Sequence, residues 1–110
     1  MRYQKLKGII SICRKAGRLV IGFAPMKEAV TGGKVCGVIT MSDISPKTYK
    51  EVMFFCQKAN VPVCPLPMDS EAFGDATGRR AVVAAVTDEG FFGRMEALGA
   101  EETAAQTPSE

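Results

Sequence analysis

The sequence predicts an α/β fold in which a four-stranded sheet lies between helical layers. Two patterns carry that expectation. Apolar residues recur at helical spacing in several segments, and short apolar runs rich in Val and Ile separate them, so helices and strands alternate in the order αβαβαβαβα. At 110 residues and 46% hydrophobic, the chain is long enough for one compact core and too short for two. The expected domain spans residues 1–99.

Each element has its own local justification. In "QKLKGIISICRKAG", Leu6, Ile9, Ile10 and Cys13 fall at i, i+3, i+4 and i+7, the stripe of an amphipathic helix, and Gly17 ends it. "RLVIG" is a short strand. The next helix is expected over residues 25–31, opened by Pro25, stopped by Gly32 and Gly33, and buried through Met26, Ala29 and Val30. "VCGVITM" reads as a strand covered on both faces. Ser45 then caps a helix with Pro46 at its first position, and Tyr49, Val52, Met53 and Cys56 form its stripe. "VPVCPL" is a peripheral strand, because Pro62 and Pro65 cannot donate to a ladder. Ser70 is expected to cap a short helix ending at Gly78, "AVVAAVT" is a second buried strand, and Thr87 or Asp88 starts a last helix reaching about Leu98. Residues 100–110, "AEETAAQTPSE" from Ala100, lack periodicity and are expected to form a disordered C-terminal tail.

Composition narrows the function classes. No apolar run approaches the ~20 residues that span a bilayer, and the N-terminal apolar stretch is too short for a signal peptide, so a soluble cytoplasmic protein without membrane contact is expected. Cys13, Cys36, Cys56 and Cys64 form no C-x-x-C pair and the chain has no His, which points to buried free thiols and away from zinc or a disulfide framework. The net charge of +2 hides a split: residues 1–58 hold eleven Lys/Arg against three acids, a net +8, and residues 59–110 hold three against nine, a net −6. A basic surface that meets phosphates, with an acidic surface elsewhere, is one reading of that split; two ordinary solvated faces are the other.

Little here supports catalysis. No phosphate-binding glycine loop follows a strand and no His serves as a base, so no catalytic residue, metal site or cofactor is expected. Asp43 lies past an apolar strand, where α/β sheets place ligands, yet a loop Asp that helps cap the helix starting at Pro46 explains it without chemistry. A binding role has more support. Lys27, Lys47, Tyr49, Arg79 and Arg80 all lie near element junctions, and loops on one edge of a sandwiched sheet converge. Cations plus one aromatic ring are the minimal equipment for RNA: charge for phosphates, a ring for an unstacked base.

The order of motifs resembles the kink-turn-binding ribosomal protein family (L-seven-Ae-like), in particular its small bacterial members. The resemblance runs from about residue 4 to 98. It is carried by the glycine of "VIGFAP", the "AVTGGK" run ending the second helix, the "DISP" opening the third, the "NVPV" strand start and "FGDATG" before the last strand. It implies a three-layer αβα sandwich with a mixed four-stranded sheet, and binding of an RNA internal loop with tandem sheared G·A pairs. In that family the start of the second helix enters the widened groove. There an Asn, a Glu and, one turn on, a Lys make the contacts after a Gly that lets backbone approach, and a second loop covers a flipped-out nucleotide.

Carried across by position, the glycine is Gly22, the Asn falls on Ala24, the Glu on Pro25 and the Lys on Glu28. A base contact of this kind is worth ~1–3 kcal/mol of discrimination, and a carboxylate near phosphate adds repulsion of roughly 1 kcal/mol. Lys27 points ~100° away from Glu28 around the helix, so it is placed for a flanking phosphate and not for the groove. Tyr49 matches a contact position on the third helix, and Thr77, Gly78, Arg79 and Arg80 match the second loop. The expected RNA-binding residues are therefore Gly22, Lys27, Glu28, Lys47, Tyr49, Gly78, Arg79 and Arg80. The expectation is a monomeric, non-enzymatic, ribosome-associated protein that binds structured RNA, ribosomal RNA included, weakly or with altered specificity, with a ribosomal or other protein as a further partner. The alternative is a protein-interaction module of the same fold that has lost RNA binding and uses the "FAPMKE" surface, where Phe23 and Met26, if exposed, would form an apolar patch; a buried Phe23 favours a packing role.

Overall fold

The structure, a computed structural model, describes residues 3–106. The element order is α1 (Gln4–Lys15), β1 (Leu19–Ile21), α2 (Phe23–Thr31), β2 (Gly37–Thr40), α3 (Pro46–Lys58), β3 (Val63–Pro65), α4 (Ser70–Thr77), β4 (Val83–Val86) and α5 (Glu89–Gln106). The strands form one sheet in the order β1-β4-β2-β3. β4 is antiparallel to both β1 and β2, and β2 is parallel to β3, so the sheet is mixed.

Strand alternation divides the core between two layers. Along β4, Ala84 and Val86 face α1, α4 and α5, while Val83 and Ala85 face α2 and α3; along β2, Ile39 goes with the first pair and Val38 with the second. Leu6, Ile10 and Cys13 from α1 meet Phe73 of α4 and Phe92 and Met95 of α5 on one face. Met26 and Val30 of α2 meet Val52 and Cys56 of α3 on the other. Both central strands are buried along their whole length, as continuous apolar runs require. The proline-bearing β3 stands at an edge.

Four local expectations need correction. α2 begins at Phe23 with Gly22 as N-cap, so Pro25 sits at the third helical position; its missing N–H is one of the four that a helix start leaves unpaired in any case. Asp69, not Ser70, caps α4, accepting from the Ala72 N–H at 2.9 Å, and Ser70 is the buried first residue of the helix. Asp43 does not cap α3; Ser45 does so alone, accepting from the Thr48 N–H at 3.2 Å. The last helix, with Asp88 accepting from the Phe91 N–H, runs past Leu98 to Gln106. The first part of the expected tail is thus helical, since Ala, Glu and Gln favour helix and no Gly or Pro interrupts them there. Residues 107–110 of that tail lie outside the described residues.

All four cysteines are free thiols, Cys13 and Cys56 buried and Cys36 and Cys64 half-buried. Burial, with the Asp88 charge adding to it, pushes the Cys13 thiol up to about 11, and burial also raises Cys56 and Cys64. These three act as small packing groups rather than nucleophiles. No helix among the described residues is long and apolar enough to cross a membrane.

Candidate nucleic-acid interface

The topology brings four connections to one edge of the sheet. The C-terminal ends of β1, β2 and β3 and the N-terminal end of β4 share it, because β4 runs antiparallel to its neighbours and β3 runs parallel to β2. Backbone bonds tie the connections together there. Gly22 donates its N–H to the Val83 carbonyl at 3.0 Å, Met41 to Val82 at 2.8 Å and Ser42 to Met68 at 2.9 Å. The starts of α2, α3 and α4 all open at this edge, and the partial positive charge of helix N-termini favours anions.

Gly22 turns the chain from β1 into α2 with φ 105° and ψ 159°, a conformation essentially restricted to glycine. Its carbonyl accepts the first α2 bond, from the Met26 N–H at 3.0 Å. Lys47 is exposed and Tyr49 half-buried on the first turn of α3. Gly78 ends α4 in the left-handed conformation and leads directly into exposed Arg79 and Arg80. The buried Thr77 hydroxyl braces that turn, accepting from the Arg79 N–H at 3.2 Å and lying 3.0 Å from the Arg79 carbonyl oxygen.

Two expected site residues stand apart from this edge. Lys27 leans across to α3, its Nζ 4.5 Å from the centre of the Phe55 ring. Glu28 lies on the outer side of α2, where it lines two open hollows of about 420 and 480 Å³. The "FAPMKE" segment also does not present its apolar side chains to solvent. Met26 is fully buried, and Phe23 is packed partly into the α2–α3 core and edge-on to Phe55 at 6.4 Å. Ala24, Pro25, Lys27 and Glu28 are the exposed residues of that segment.

The structure adds a contact that no sequence spacing announces. The Asp43 carboxylate accepts from the Ser70 N–H at 2.8 Å and from the Ser70 hydroxyl at 2.5 Å, and Arg80 donates to the same hydroxyl oxygen at 3.3 Å. The Ser70 hydroxyl is the main cause that holds the Asp43 carboxyl below its ordinary value, with the Ser70 N–H and the Arg80 charge acting in the same direction. Asp43, expected as a helix cap, instead clasps the β2–α3 loop to the start of α4 and to the second loop. Residues 43 and 70 are far apart in sequence, and a loop Asp before "SP" reads first as a cap; only the fold reveals the pair.

Comparisons with known proteins agree with this architecture. The model of the ribosomal protein L7Ae/L30e/S12e/Gadd45 family matches residues 4–95. No curated protein matches the chain in sequence. Among solved structures, a protein of unknown function from Bacillus halodurans is 29% identical, with a TM-score of 0.77 over 86% of this chain and 95% of its own. A Giardia lamblia 15.5kD RNA binding protein is 19% identical and shares the fold, with a TM-score of 0.68 over 90% of this chain and 85% of its own. With a sequence match across nearly the whole domain and the mixed αβα sandwich that encloses it, the chain belongs to the ribosomal protein L7Ae/L30e/S12e/Gadd45 family.

Proposed function

We propose that this protein binds structured RNA, ribosomal RNA included, in the cytoplasm and without catalysis, and that it docks through the sheet edge where Gly22, the start of α3 and the Gly78–Arg80 turn meet. The observation that carries this reading is the convergence of these three segments, with Lys47, Tyr49 and Arg79 on them. Family membership and the RNA-binding description of the Giardia neighbour support it. Lys47 and Arg79 supply phosphate attraction, and the helix N-termini add to it. Tyr49, half-buried on the same turn and about 160° around α3 from Lys47, offers part of a ring to the edge.

Base reading is expected to be poor. Ala24 has no side-chain hydrogen-bonding group, Pro25 has neither such a group nor an N–H, and Glu28 repels phosphate. Lys27, held over Phe55, does not restore what Glu28 removes. The protein should therefore prefer a standard kink-turn over other structured RNA only weakly. Titration of a labelled kink-turn and a matched straight duplex at two salt concentrations tests this. Binding to both, within about tenfold of each other and weakened by salt, is expected. No binding to either RNA at low salt would overturn the reading and leave a protein-interaction module of the same fold.

A further inference from the structure

Away from the sheet edge, two large apolar side chains stand out among the described residues, Ile12 at 55% exposed and Phe54 at 59%. Phe54 is on the third turn of α3. At ~3.6 residues per turn it lies about 160° around the helix from both Val52 and Cys56, the two side chains that α3 buries completely. Core packing does not account for a phenylalanine there. The same outer side carries Lys47, Lys50 and Lys58, all exposed, with Glu51 as its one acid.

The aromatic side chain is held by its neighbours. Phe54 meets the half-buried Phe55 edge-on at 5.8 Å, and Phe55 in turn meets Phe23. Lys58 Nζ lies 5.4 Å from the centre of the Phe54 ring, and Lys27 Nζ covers Phe55. The outer side of α3 is thus a strip of cations around a positioned ring. It begins at the start of α3, on the sheet edge, and runs about 16 Å from Lys47 to Lys58 at the helical rise.

We propose that this strip is a stacking platform for an unpaired RNA segment that leaves the structured RNA docked at the edge. One base lies on the Phe54 ring while Lys50 and Lys58 meet the phosphates beside it, and Lys47 at the head of the strip stays with the RNA docked at the edge. This rests on the RNA reading above and supplies the second part of the footprint. Three features favour RNA as the occupant. The strip is continuous with the edge, it sets three lysines against one glutamate, and every base has a π-face for an exposed ring. A helical protein partner would look for several apolar anchors at helical spacing, and the strip offers one exposed ring among lysines. Lys58 already hovers over the ring, so it needs only a side-chain rotation to pass from ring to phosphate.

The chain has no Trp, so Phe54→Trp places a unique fluorophore on the platform. The same duplex-containing RNA is prepared with and without a short unpaired tail, and each is titrated against the native chain, Phe54→Ala and Phe54→Trp. The tail should raise native affinity about fivefold to 100-fold. Phe54→Ala should lose that gain while binding the tailless RNA unchanged, and Phe54→Trp should keep the gain and be quenched by the tailed RNA alone. Equal affinity of the native chain for both RNAs, or an equal loss on both in Phe54→Ala, would overturn the proposal while leaving edge docking intact. Phe54-dependent binding of the isolated tail, with no binding of the tailless RNA, would support the platform and reject the edge. A Phe54-dependent gain with an acidic peptide, and none with the tail, would assign the strip to a protein and overturn the proposal.

Discussion

Gly37 opens β2 directly under the Phe92 ring of α5, and a Cβ built on it would lie 2.3 Å from two ring carbons. Phe92 is 6% exposed, so the ring has little room to retreat. Gly37→Ala is expected to destabilise the fold by about 1–3 kcal/mol, the usual range for forcing extra volume into a packed core. Urea unfolding measures this, and Gly8→Ala is the control. Gly8 is exposed within α1 with nothing within 4 Å of an added Cβ; that substitution should gain up to ~1 kcal/mol through helix propensity. Gly22 is constrained differently, since an added Cβ would meet Pro25 Cδ at an ordinary 3.5 Å while φ stays at +105°. Gly22→Ala should therefore cost about 1–3 kcal/mol through backbone strain rather than a clash, and shift the start of α2. Of the two glycines, Gly22 was legible in the sequence because it stands between a strand and a helix. Gly37 was not, because "VCGVITM" reads as an unbroken apolar strand and its partner ring comes from a distant helix.

The clasp between Asp43 and Ser70 joins elements, and its loss is felt between them. Asp43→Ala leaves the N–H of the buried Ser70 without its acceptor, and the expected cost is about 1–3 kcal/mol. The sign of its pH dependence follows from the lowered folded-state value of Asp43. Protons bind this carboxyl more readily in the unfolded chain, so its contribution is complete above the ordinary aspartate value of about 4 and fades as pH falls below that toward the folded value. Urea unfolding of the native chain and Asp43→Asn should show a gap in stability at neutral pH that narrows in acid; a gap independent of pH would reject a charged clasp. Element boundaries show why sequence rules succeed or fail here. α3 was legible at its start because Ser45 and Pro46 occupy the two positions those residues prefer. α2 was placed two residues late because the rule for Pro at the first position overlooks that the second and third also lack an internal partner for the N–H. At α4 both Asp69 and Ser70 qualify as caps, and Asp69 takes the role because Ser70 is drawn inward to Asp43.

Across the whole molecule, the split into a basic first half and an acidic second half does not map onto two opposed surfaces. α1 belongs to the basic half but packs with α4 and α5, where Lys7 pairs with Asp75 at 3.4 Å and Lys5 with Glu101 at 3.5 Å. Both pairs are largely exposed and contribute little to stability, but they offset the charge of that layer. Among the described residues near the sheet edge and α3, Lys47, Lys50, Lys58 and Arg79 form no ion pair, while Lys27 lies over Phe55 and Arg80 is turned toward Ser70. Sequence charge alone could not separate these groups, because α1 and α3 carry similar numbers of lysines and only the layering puts acids beside one of them. The separation fixes the salt dependence expected of RNA binding. Docking at the edge alone uses Lys47 and Arg79, so the slope of log affinity against log salt should be about −2. An unpaired tail on α3 adds Lys50 and Lys58 at about −0.7 each on a single strand, for a slope a little beyond −3. Lys50→Ala with Lys58→Ala should return the tailed RNA to a slope of about −2 and leave the tailless RNA unaffected. Equal slopes for tailed and tailless RNA in the native chain would show that the tail does not reach the lysines of α3.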